Sequence, residues 1–455
     1  MLSFTVCMLS FTVQHLLARH FLPFHDILPL WLQVKSGNGG PCAPHVAEQR
    51  DVFISAEVAA DAVATFEARF TWHGFRYVEV SGLPSAFPAS HVSLWGIPMR
   101  SDVPRTSFFK ADDATGGRLN AIWDMVVNTH DSNMMSVQSD CPHRERFGYG
   151  GDALATSETA LLLYDMGQFY SKRVRDFNEA QRSSGGFTET APYNGISDSG
   201  LGGDSGPIGW DSVQPLLQLS LYNFYGDKRL LEESYGSTAD WVRFLLAANG
   251  SLVEGGLSDW MATERKPVAL IGCIFYWMNL RAWAQINTVL GRGDVAANFS
   301  ALADSAKAKL NAEFLDRSTG VYKKKGQFYN SQCGQSMPLW LGLVPQSSRQ
   351  KAEEALLKNL RATQHMETGM FCVKYLLLQL SQLSNEANDL AFSLINASTF
   401  PSYGYMLQQG ATTLWESWFY SNDTYSHNHP MFSSVAVWLV QSLAGTLTRL
   451  RPPLE

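Results

Sequence analysis

Hydrophobic and polar positions divide the chain into regions of different character. Residues 1–34 are apolar and include the near-duplication MLSFTVC and MLSFTV, and residues 35–50 are rich in Gly and Pro. Between residues 52 and 80, β-branched and aromatic residues alternate with polar ones, and this period of two predicts strands. We therefore expect residues 1–50 to be an apolar leader followed by a loop, with regular structure beginning after them.

From about Leu119 onward the period becomes helical. Many segments are apolar around most of their circumference, as in Val268–Met278, which is typical of inner helices covered on several sides. Helix pairs without a fixed sequence repeat predict a mainly α fold, an (α/α)6 barrel or six-hairpin toroid with a small N-terminal β segment. The segments with helical period are 118–137, 154–181, 212–226, 228–248, 268–290, 294–314, 331–343, 347–362, 368–383, 385–396 and 431–449.

These patterns predict a domain organisation. Residues 1–50 form the leader, residues 51–105 form a partial β-sandwich segment, and residues 106–450 form the catalytic barrel. Two or three strands cannot make a stable sandwich alone, so we expect the β segment to pack on the barrel. Loops at 183–211, 255–266 and 402–430 are Gly-rich or Trp-rich, and functional residues tend to lie on such connections.

Composition narrows the function classes. The 455 residues are 45% hydrophobic and 17% charged, which favours a globular chain over a disordered one. The net charge of -7 and the scattered Lys and Arg residues argue against a nucleic-acid partner. Polar residues such as Arg19 and Asp26 interrupt the apolar start, so no membrane span is expected, and a basic region typical of a signal peptide is lacking.

The segment Ser139–Asp152 concentrates charged side chains in a turn punctuated by Gly and Pro. It contains three carboxylates, two arginines and a histidine in the run SDCPHRERFGYGGD. Like charges held close raise the pKa of one carboxyl group while a nearby Arg lowers that of another. The segment is therefore a candidate catalytic site, and the alternative is a solvated loop with local ion pairs.

Glu416 is a second candidate, because it lies between Trp415 and Trp418 in an otherwise uncharged stretch. A lone acid among indoles is costly unless a specific function uses it; the alternative is a Glu whose carboxylate reaches water or an Arg. Two carboxylates at the mouth of a barrel would suit glycosidic hydrolysis, with one proton donor and one base for water. The 13 Trp and 16 Tyr residues suit sugar faces, or simply a large aromatic core.

The run DCPHRERFGYGGD resembles the bacterial-type α-L-rhamnosidases, the family-78 glycoside hydrolases. Similarity continues through Gly209-Trp-Asp211, Ser258-Asp-Trp260, GATTLWESW and His427-Asn-His429, and it covers roughly residues 65–450. Several motifs in one order over that length make the resemblance specific.

This resemblance implies an inverting hydrolase that releases terminal α-L-rhamnose from a glycoside or polysaccharide. Glu145 would be the general acid and Glu416 the general base, about 6.5–9.5 Å apart. No metal or cofactor is expected. The residues that would line the rhamnose subsite are Asp140, Arg144, Tyr149, Asp152, Trp210, Trp260 and His429.

The sequence also departs from the family pattern. Tyr149 stands where many relatives have Trp, and the stretch from Glu416 to His429 is shorter than in many of them. Most of the N-terminal β-sandwich and the C-terminal β domain common in the family are absent from the expected organisation. The alternatives are therefore a truncated, non-catalytic carbohydrate-binding barrel, or a six-hairpin enzyme that acts on another sugar such as a uronic acid.

The residue types also suggest two other kinds of chemistry, which are metal binding and thiol catalysis. His427, His429, His365 and Asp423 could be imagined as metal ligands, but they lack a helical ligand spacing, which favours a structural or sugar-binding role. Cys141 lacks an identifiable base, so a buried thiol is expected there. The six cysteines are far apart and show no spacing typical of a zinc site or a dense disulfide framework.

Overall fold

A computed structural model describes residues 5–14, 29–34, 49–54, 63–81, 92–195, 204–249, 255–422 and 425–446. The chain forms a small β segment followed by a large helical body. One continuous apolar core runs through the helical body from Val103 to Leu439. The predicted mainly α fold with a small N-terminal β segment is confirmed.

In the described part of the β segment, seven strands form two antiparallel sheets. In one sheet β1 pairs with β4, β5 and β7, and in the other β2 lies between β3 and β6. The strands are β1 (Thr5–Gln14), β2 (Pro29–Val34), β3 (Gln49–Ile54), β4 (Val63–Glu67), β5 (His73–Phe75), β6 (Glu79–Ser81) and β7 (Val92–Pro98).

The apolar leader contributes to this segment, which differs from the expectation that regular structure begins after residue 50. Strands β1 and β2 come from the leader and pair with strands from residues 49–98. Their β-branched and aromatic residues suit paired strands, but without clear polar alternation the sequence pattern did not predict them. The predicted loop at residues 35–50 lies outside the described residues up to residue 48.

The helical body contains helices of four to 22 residues. They are α1 (Asp113–Asn133), α2 (Gly150–Leu163), α3 (Gly167–Ala180), α4 (Val213–Tyr225), α5 (Arg229–Glu233), α6 (Tyr235–Asn249), α7 (Val268–Val289), α8 (Gly293–Phe314), α9 (Gln332–Trp340), α10 (Gln346–Thr363), α11 (Cys372–Leu383), α12 (Asn385–Asn396), α13 (Tyr403–Gln408) and α14 (Val435–Trp438). Short strands between them are β8 (Met134–Met135), β9 (Val137–Gln138), β10 (Leu315–Asp316), β11 (Val321–Lys324) and β12 (Phe328–Tyr329).

Helix packing defines an inner ring and an outer layer. Successive contacts run from α2 to α4, α7, α9, α11 and α14, and α14 contacts α2 again, which closes the ring. Outer helices pack beside their sequence neighbours, as α3 does on α4, α8 on α7, α10 on α9 and α12 on α11. This is the alternation of inner and outer helices that a toroid of helical hairpins requires.

The sequence of each helix explains its layer. Helix α7 is apolar on all sides, and nearly every residue from Ala269 to Trp283 is buried. Helix α10 carries many charged residues and buries only a stripe that includes Ala352, Leu356 and Leu360. A stripe at this spacing covers one face of a helix, so α10 lies outside and α7 inside.

Several predicted helices have different limits in the structure. The predicted helix 154–181 is divided into α2 and α3, because Tyr164 is extended and forms a bridge with Arg105. The backbone N–H of Asp165 donates to the carbonyl of Pro104 at 2.9 Å. These contacts hold the chain in an extended conformation that a continuous helix would prevent.

The predicted helix 431–449 is irregular. It begins as a 3-10 helix at Pro430–Ser434, continues as α14, and ends as a π-helix at Leu439–Leu443. Residues 447–449 of this prediction lie outside the described residues. The predicted helix 118–137 ends at Asn133, where the β8–β9 hairpin turns through Ser136 at φ 65°.

Hydrogen bonds from α1 and α2 to residues 414–433 close the ring. The Thr129 hydroxyl accepts the backbone N–H of Leu414 at 2.8 Å, and Asn133 Nδ2 donates to Asn428 Oδ1 at 2.8 Å. Thr159 Oγ1 donates to the carbonyl of Ser433 at 3.1 Å. The segments that carry Glu145 and Glu416 therefore meet at this closure.

A disulfide joins Cys333 of α9 to Cys372 of α11, and Cys141 and Cys273 are buried. The separation of 39 residues gave no sequence signal for this pair. Among the described residues, no helix combines the length and the apolar character needed to cross a membrane.

Candidate active site

The loop that carries Glu145 folds around the side chain of Asp140. The backbone N–H of Phe147 donates to Asp140 Oδ1 at 2.7 Å, and Cys141 Sγ donates to Asp140 Oδ2 at 2.8 Å. The backbone N–H of Asp140 also donates to the carbonyl of Phe147 at 3.0 Å. These bonds close a tight loop between β9 and α2, and Glu145 lies on its turn.

Burial and the nearby Glu145 carboxylate raise the pKa of Asp140 well above its usual value, although His429 and Cys141 oppose the rise. Burial and the Asp140 carboxylate also raise the pKa of the Cys141 thiol. Cys141 is therefore held as a thiol that donates to Asp140, in line with the predicted buried thiol and unlike an activated nucleophile.

His429 joins this loop to the far end of the barrel sequence. Its Nε2 lies 2.7 Å from Oδ1 of Asp152, in the first turn of α2. Burial lowers the pKa of His429, but the hydrogen bond that it donates to Asp152 and the Glu416 charge outweigh this effect and raise the pKa to about 9. The imidazole is therefore a cation at neutral pH.

Glu416 faces this cation. Its Oε2 lies 3.8 Å from His429 Nδ1 and accepts the backbone N–H of Ser426 at 2.9 Å. Burial raises the pKa of Glu416, His429 and the Ser426 N–H lower it, and the Glu145 charge raises it again. Glu145 and Glu416 therefore lie close enough to influence one another.

Arg144 and Tyr149 belong to the same group of side chains. The Arg144 charge lowers the pKa of Glu416 and that of His143. Burial and the charges of Glu145 and Asp140 raise the pKa of Tyr149. The structure thus brings Arg144 and Tyr149 together with the carboxylates.

Trp210 lies directly against the start of α2, where a Cβ added at Gly151 would overlap the indole ring. Phe371 packs edge-on against Trp210, with 5.5 Å between ring centroids. Trp260 contacts the segment that carries Phe371, because the Trp260 carbonyl accepts the backbone N–H of Met370 at 3.0 Å. Trp210 therefore contacts the carboxylate-bearing helix directly, and Trp260 connects to it through residues 370–371.

Asp259, next to Trp260, fixes the backbone of the segment that carries Phe371. Its carboxylate accepts the backbone N–H groups of Gly369, Phe371 and Cys372 at 2.6, 2.8 and 3.1 Å. Burial raises the pKa of Asp259 to about 7, while these bonds oppose the rise. The Ser258-Asp-Trp260 motif therefore anchors the backbone of residues 369–372, which carries the Phe371 ring that packs on Trp210.

Sequence reasoning missed Glu189 and Arg173 near the site. Glu189 is buried, and its charge contributes to the raised pKa values of Tyr149 and Asp211. Arg173 is buried in α3 and donates to the carbonyls of Gly148 and Ala191. Glu189 lies in the Gly-rich loop 183–211 that composition had marked, whereas Arg173 had no signal beyond its place in an amphipathic helix.

Metal ligation by the histidines gains no support from the geometry. Across the described ranges, one group of side chains has metal-type ligand atoms close together, and it consists of Asp259, Cys333 and Cys372. The two sulfurs are joined to each other. Of the earlier candidates, Asp423 lies outside the described residues.

A helical toroid with paired carboxylates at its closure is the arrangement of a six-hairpin glycosidase. Residues 104–443 match the model of the bacterial α-L-rhamnosidase six-hairpin glycosidase domain, and residues 42–98 match that of the bacterial α-L-rhamnosidase concanavalin-like domain. The chain belongs to the bacterial α-L-rhamnosidase family. The predicted family and the predicted six-hairpin barrel are confirmed.

Curated relatives support this membership. An α-L-rhamnosidase of Streptomyces avermitilis is 31% identical over 394 residues, which is 84% of this chain and 36% of that protein. An α-L-rhamnosidase of Formosa agariphila is 27% identical over 425 residues, or 88% of this chain and 43% of that protein. The chain therefore spans less than half the length of these relatives.

Solved structures agree. The α-L-rhamnosidase from Dictyoglumus thermophilum superposes with a TM-score of 0.83 at 27% identity, over 96% of this chain and 48% of that chain. The Streptomyces avermitilis α-L-rhamnosidase complexed with L-rhamnose superposes with a TM-score of 0.81 at 26% identity, over 97% of this chain and 42% of that chain.

Proposed function

We propose that the chain hydrolyses terminal α-L-rhamnosides with inversion, with Glu145 as general acid and Glu416 as general base. The observation that carries this proposal is the setting of Glu416. Its Oε2 is bonded to the Ser426 N–H, lies 3.8 Å from His429 Nδ1 and is within the electrostatic reach of Glu145. A held carboxylate opposite a second carboxyl group is what an acid–base pair requires.

The division of labour follows from the charges. The His429 cation favours the ionised form of Glu416, which can then remove a proton from an attacking water. Glu145 delivers its proton to the glycosidic oxygen as the bond to the leaving group breaks. Water attacks the anomeric carbon from the opposite face, so β-L-rhamnose is the first product.

The remaining predicted residues would bind the sugar. Arg144 and the carboxylates of Asp140 and Asp152 can hydrogen-bond ring hydroxyls, and Trp210 with Trp260 can cover the apolar face and the 6-deoxy methyl group. The relative crystallised with L-rhamnose supports a rhamnose-containing glycoside or polysaccharide as the substrate. The domain boundary at residue 105 also remains part of the proposal, whereas the β segment extends to β1 and β2 of the expected leader.

The test measures hydrolysis of 4-nitrophenyl α-L-rhamnoside and follows the anomers by proton NMR. Glu145→Gln and Glu416→Gln should each lower kcat by about 10³-fold without loss of fold, because each removes one proton-transfer group. Thr412→Ser, four residues before Glu416, is the control variant, because it keeps both carboxylates. Appearance of α-L-rhamnose first would overturn inversion, and unchanged rates would overturn the assignment of the pair.

Binding measurements separate the alternatives. Binding of L-rhamnose without turnover of any rhamnoside would favour a carbohydrate-binding barrel. Turnover of a uronic acid glycoside in place of the rhamnoside would favour a different six-hairpin enzyme.

A further inference from the structure

The β segment is bonded directly to the loop that carries Glu145. Gln49, at the start of β3, is 3% exposed and brackets Gly74 of β5: its Nε2 donates to the Gly74 carbonyl and its Oε1 accepts the Gly74 N–H, both at 2.9 Å. The same Oε1 accepts a bond from Arg146 Nη2 at 2.9 Å. One buried amide therefore joins both sheets of the β segment to the residue that follows Glu145.

Further contacts hold the side chain of Arg146. Its Nε donates to the Pro142 carbonyl at 3.0 Å, and its guanidinium lies over the Trp72 ring at 4.2 Å from the centroid. The backbone of Arg146 has φ 58°, a conformation that a non-glycine residue keeps only when its surroundings hold it. The side-chain contacts with Gln49 and Trp72 supply that hold.

The backbone of β5 also touches the loop. A Cβ added at Gly74 would lie 3.0 Å from the carbonyl carbon of Pro142 and 3.1 Å from the Cβ of His143. This leaves no room for a side chain at residue 74. The strand and the turn 142–145 are therefore in contact along the backbone, immediately before Glu145.

The same part of the β segment reaches the Glu416 side. Burial lowers the pKa of His427 to about 4, and the Arg76 charge, just after β5, contributes to that fall. His427 stacks on Trp415 with 4.4 Å between ring centroids, and Trp415 precedes Glu416. Residues 72–76 thus lie beside both carboxylate-bearing loops.

Proton transfer depends steeply on where the donor lies. Glu145 is on a turn without helical or strand hydrogen bonds of its own, so its position depends on neighbouring contacts. A displacement of about 1 Å can cost about 10²-fold in rate. A buried amide and a stacked guanidinium on the adjacent residue are suited to prevent that displacement.

We propose that Gln49 and Arg146 are positioning residues for the proton donor, so that the β segment is a working part of the active site. The inference rests on the proposed role of Glu145. Gln49 and Arg146 act through the loop and not on the substrate. Their loss should therefore affect the step that needs a proton more than sugar binding.

The experiment compares two substrates that differ in their need for an acid. Departure of 2,4-dinitrophenolate needs little proton donation, whereas departure of methanol from methyl α-L-rhamnoside needs it fully. Gln49→Ala should lower kcat for the methyl rhamnoside about tenfold, leave kcat for the dinitrophenyl rhamnoside within about twofold, and leave both KM values within about twofold.

Matched variants identify the cause. Gln49→Glu keeps the acceptor for Arg146 and should recover most of the rate on the methyl rhamnoside, while Arg146→Met should behave like Gln49→Ala. Tyr77→Ser, at an exposed position of the same segment, should match the wild type. Thermal unfolding of each variant checks that the barrel is intact.

Glu145→Gln separates the two possible failures. If Glu145→Gln lowers kcat equally for the two substrates, the proposed acid is wrong and this inference is overturned with it. Suppose instead that Glu145→Gln lowers kcat more for the methyl rhamnoside than for the dinitrophenyl rhamnoside. If Gln49→Ala then lowers both kcat values equally, or leaves both unchanged, only the positioning role is overturned.

Discussion

His429 Nε2 lies 2.7 Å from Asp152 Oδ1, so the first turn of α2 holds the imidazole that faces Glu416. The opposite nitrogen, Nδ1, lies 3.8 Å from Glu416 Oε2. One ring thus connects a carboxylate of the first motif with that of the last. The charge on this ring determines how easily Glu416 takes up a proton.

Replacing this imidazole should move the acidic limb of the activity profile. His429→Gln removes a cation that lowers the pKa of Glu416, so the acidic limb of kcat/KM should move to higher pH. The measurement is kcat/KM for an aryl rhamnoside between about pH 3 and pH 8. An unmoved limb would show that Glu416 does not control it.

Stability should depend on pH through the same residue. The pKa of His429 is raised from 6.5 to about 9 in the folded protein, so its contribution is fully present below pH 6.5 and is lost as pH rises to about 9. The contribution is on the order of 3 kcal/mol.

Denaturant unfolding of the wild type and of His429→Gln at several pH values would measure this contribution. The difference between the two proteins should be largest at acid pH and shrink through the range above 6.5. A constant difference would mean that the imidazole titrates alike in the folded and unfolded chains.

Gly151 should be intolerant of a side chain. A Cβ at this position would overlap the Trp210 ring, so Gly151→Ala should displace the indole, lower stability by about 1–3 kcal/mol and raise KM for the rhamnoside. Gly117→Ala is the matched control, since nothing lies within 4 Å of its added Cβ. Equal KM values for the two variants would contradict the assigned contact.

The buried Arg173 should matter more than its exposed neighbour. Arg173→Leu leaves the carbonyls of Gly148 and Ala191 without this donor, and we expect a loss of about 3 kcal/mol. Arg175→Leu removes a half-exposed pair with Glu233 and should cost less than about 1 kcal/mol. Denaturant unfolding of both variants provides the comparison, and similar losses would rule out a special role for the buried cation.

Removing the disulfide should destabilise the barrel. The Cys333–Cys372 bond closes a loop with a sequence separation of 39 residues, for which the chain-entropy account gives about 4 kcal/mol. The double variant Cys333→Ala, Cys372→Ala should unfold at lower temperature than the wild type. Reductant should lower the wild-type transition to that of the variant and leave the variant itself unchanged.

The sequence was most informative where period and burial agree. Helix α7 has an all-round apolar pattern that predicts an inner helix, and almost its whole length is buried. The sequence pattern failed where a contact between distant residues overrides the period, as at Tyr164, whose bridge to Arg105 divides one predicted helix into two. Such a contact joins residues far apart in sequence and leaves no local pattern.

The same distinction applies to the candidate site. The motif around Glu145 and the lone acid at Glu416 could be found from residue type, since charged groups in unusual surroundings are visible in the sequence. Gln49 could not, because its importance comes from a bond to Arg146 across the fold. Glutamine at the start of a strand is otherwise unremarkable.

The closure of the ring by bonds such as Thr129 to Leu414 and Asn133 to Asn428 has a consequence for biosynthesis. During translation the loop with Glu145 emerges long before the segment with Glu416, and contacts between distant segments form slowly. A nascent chain that has not yet released residues 414–438 from the ribosome can build most of the helical hairpins but cannot assemble both carboxylates. Acquisition of activity should therefore report the closure of the helical ring.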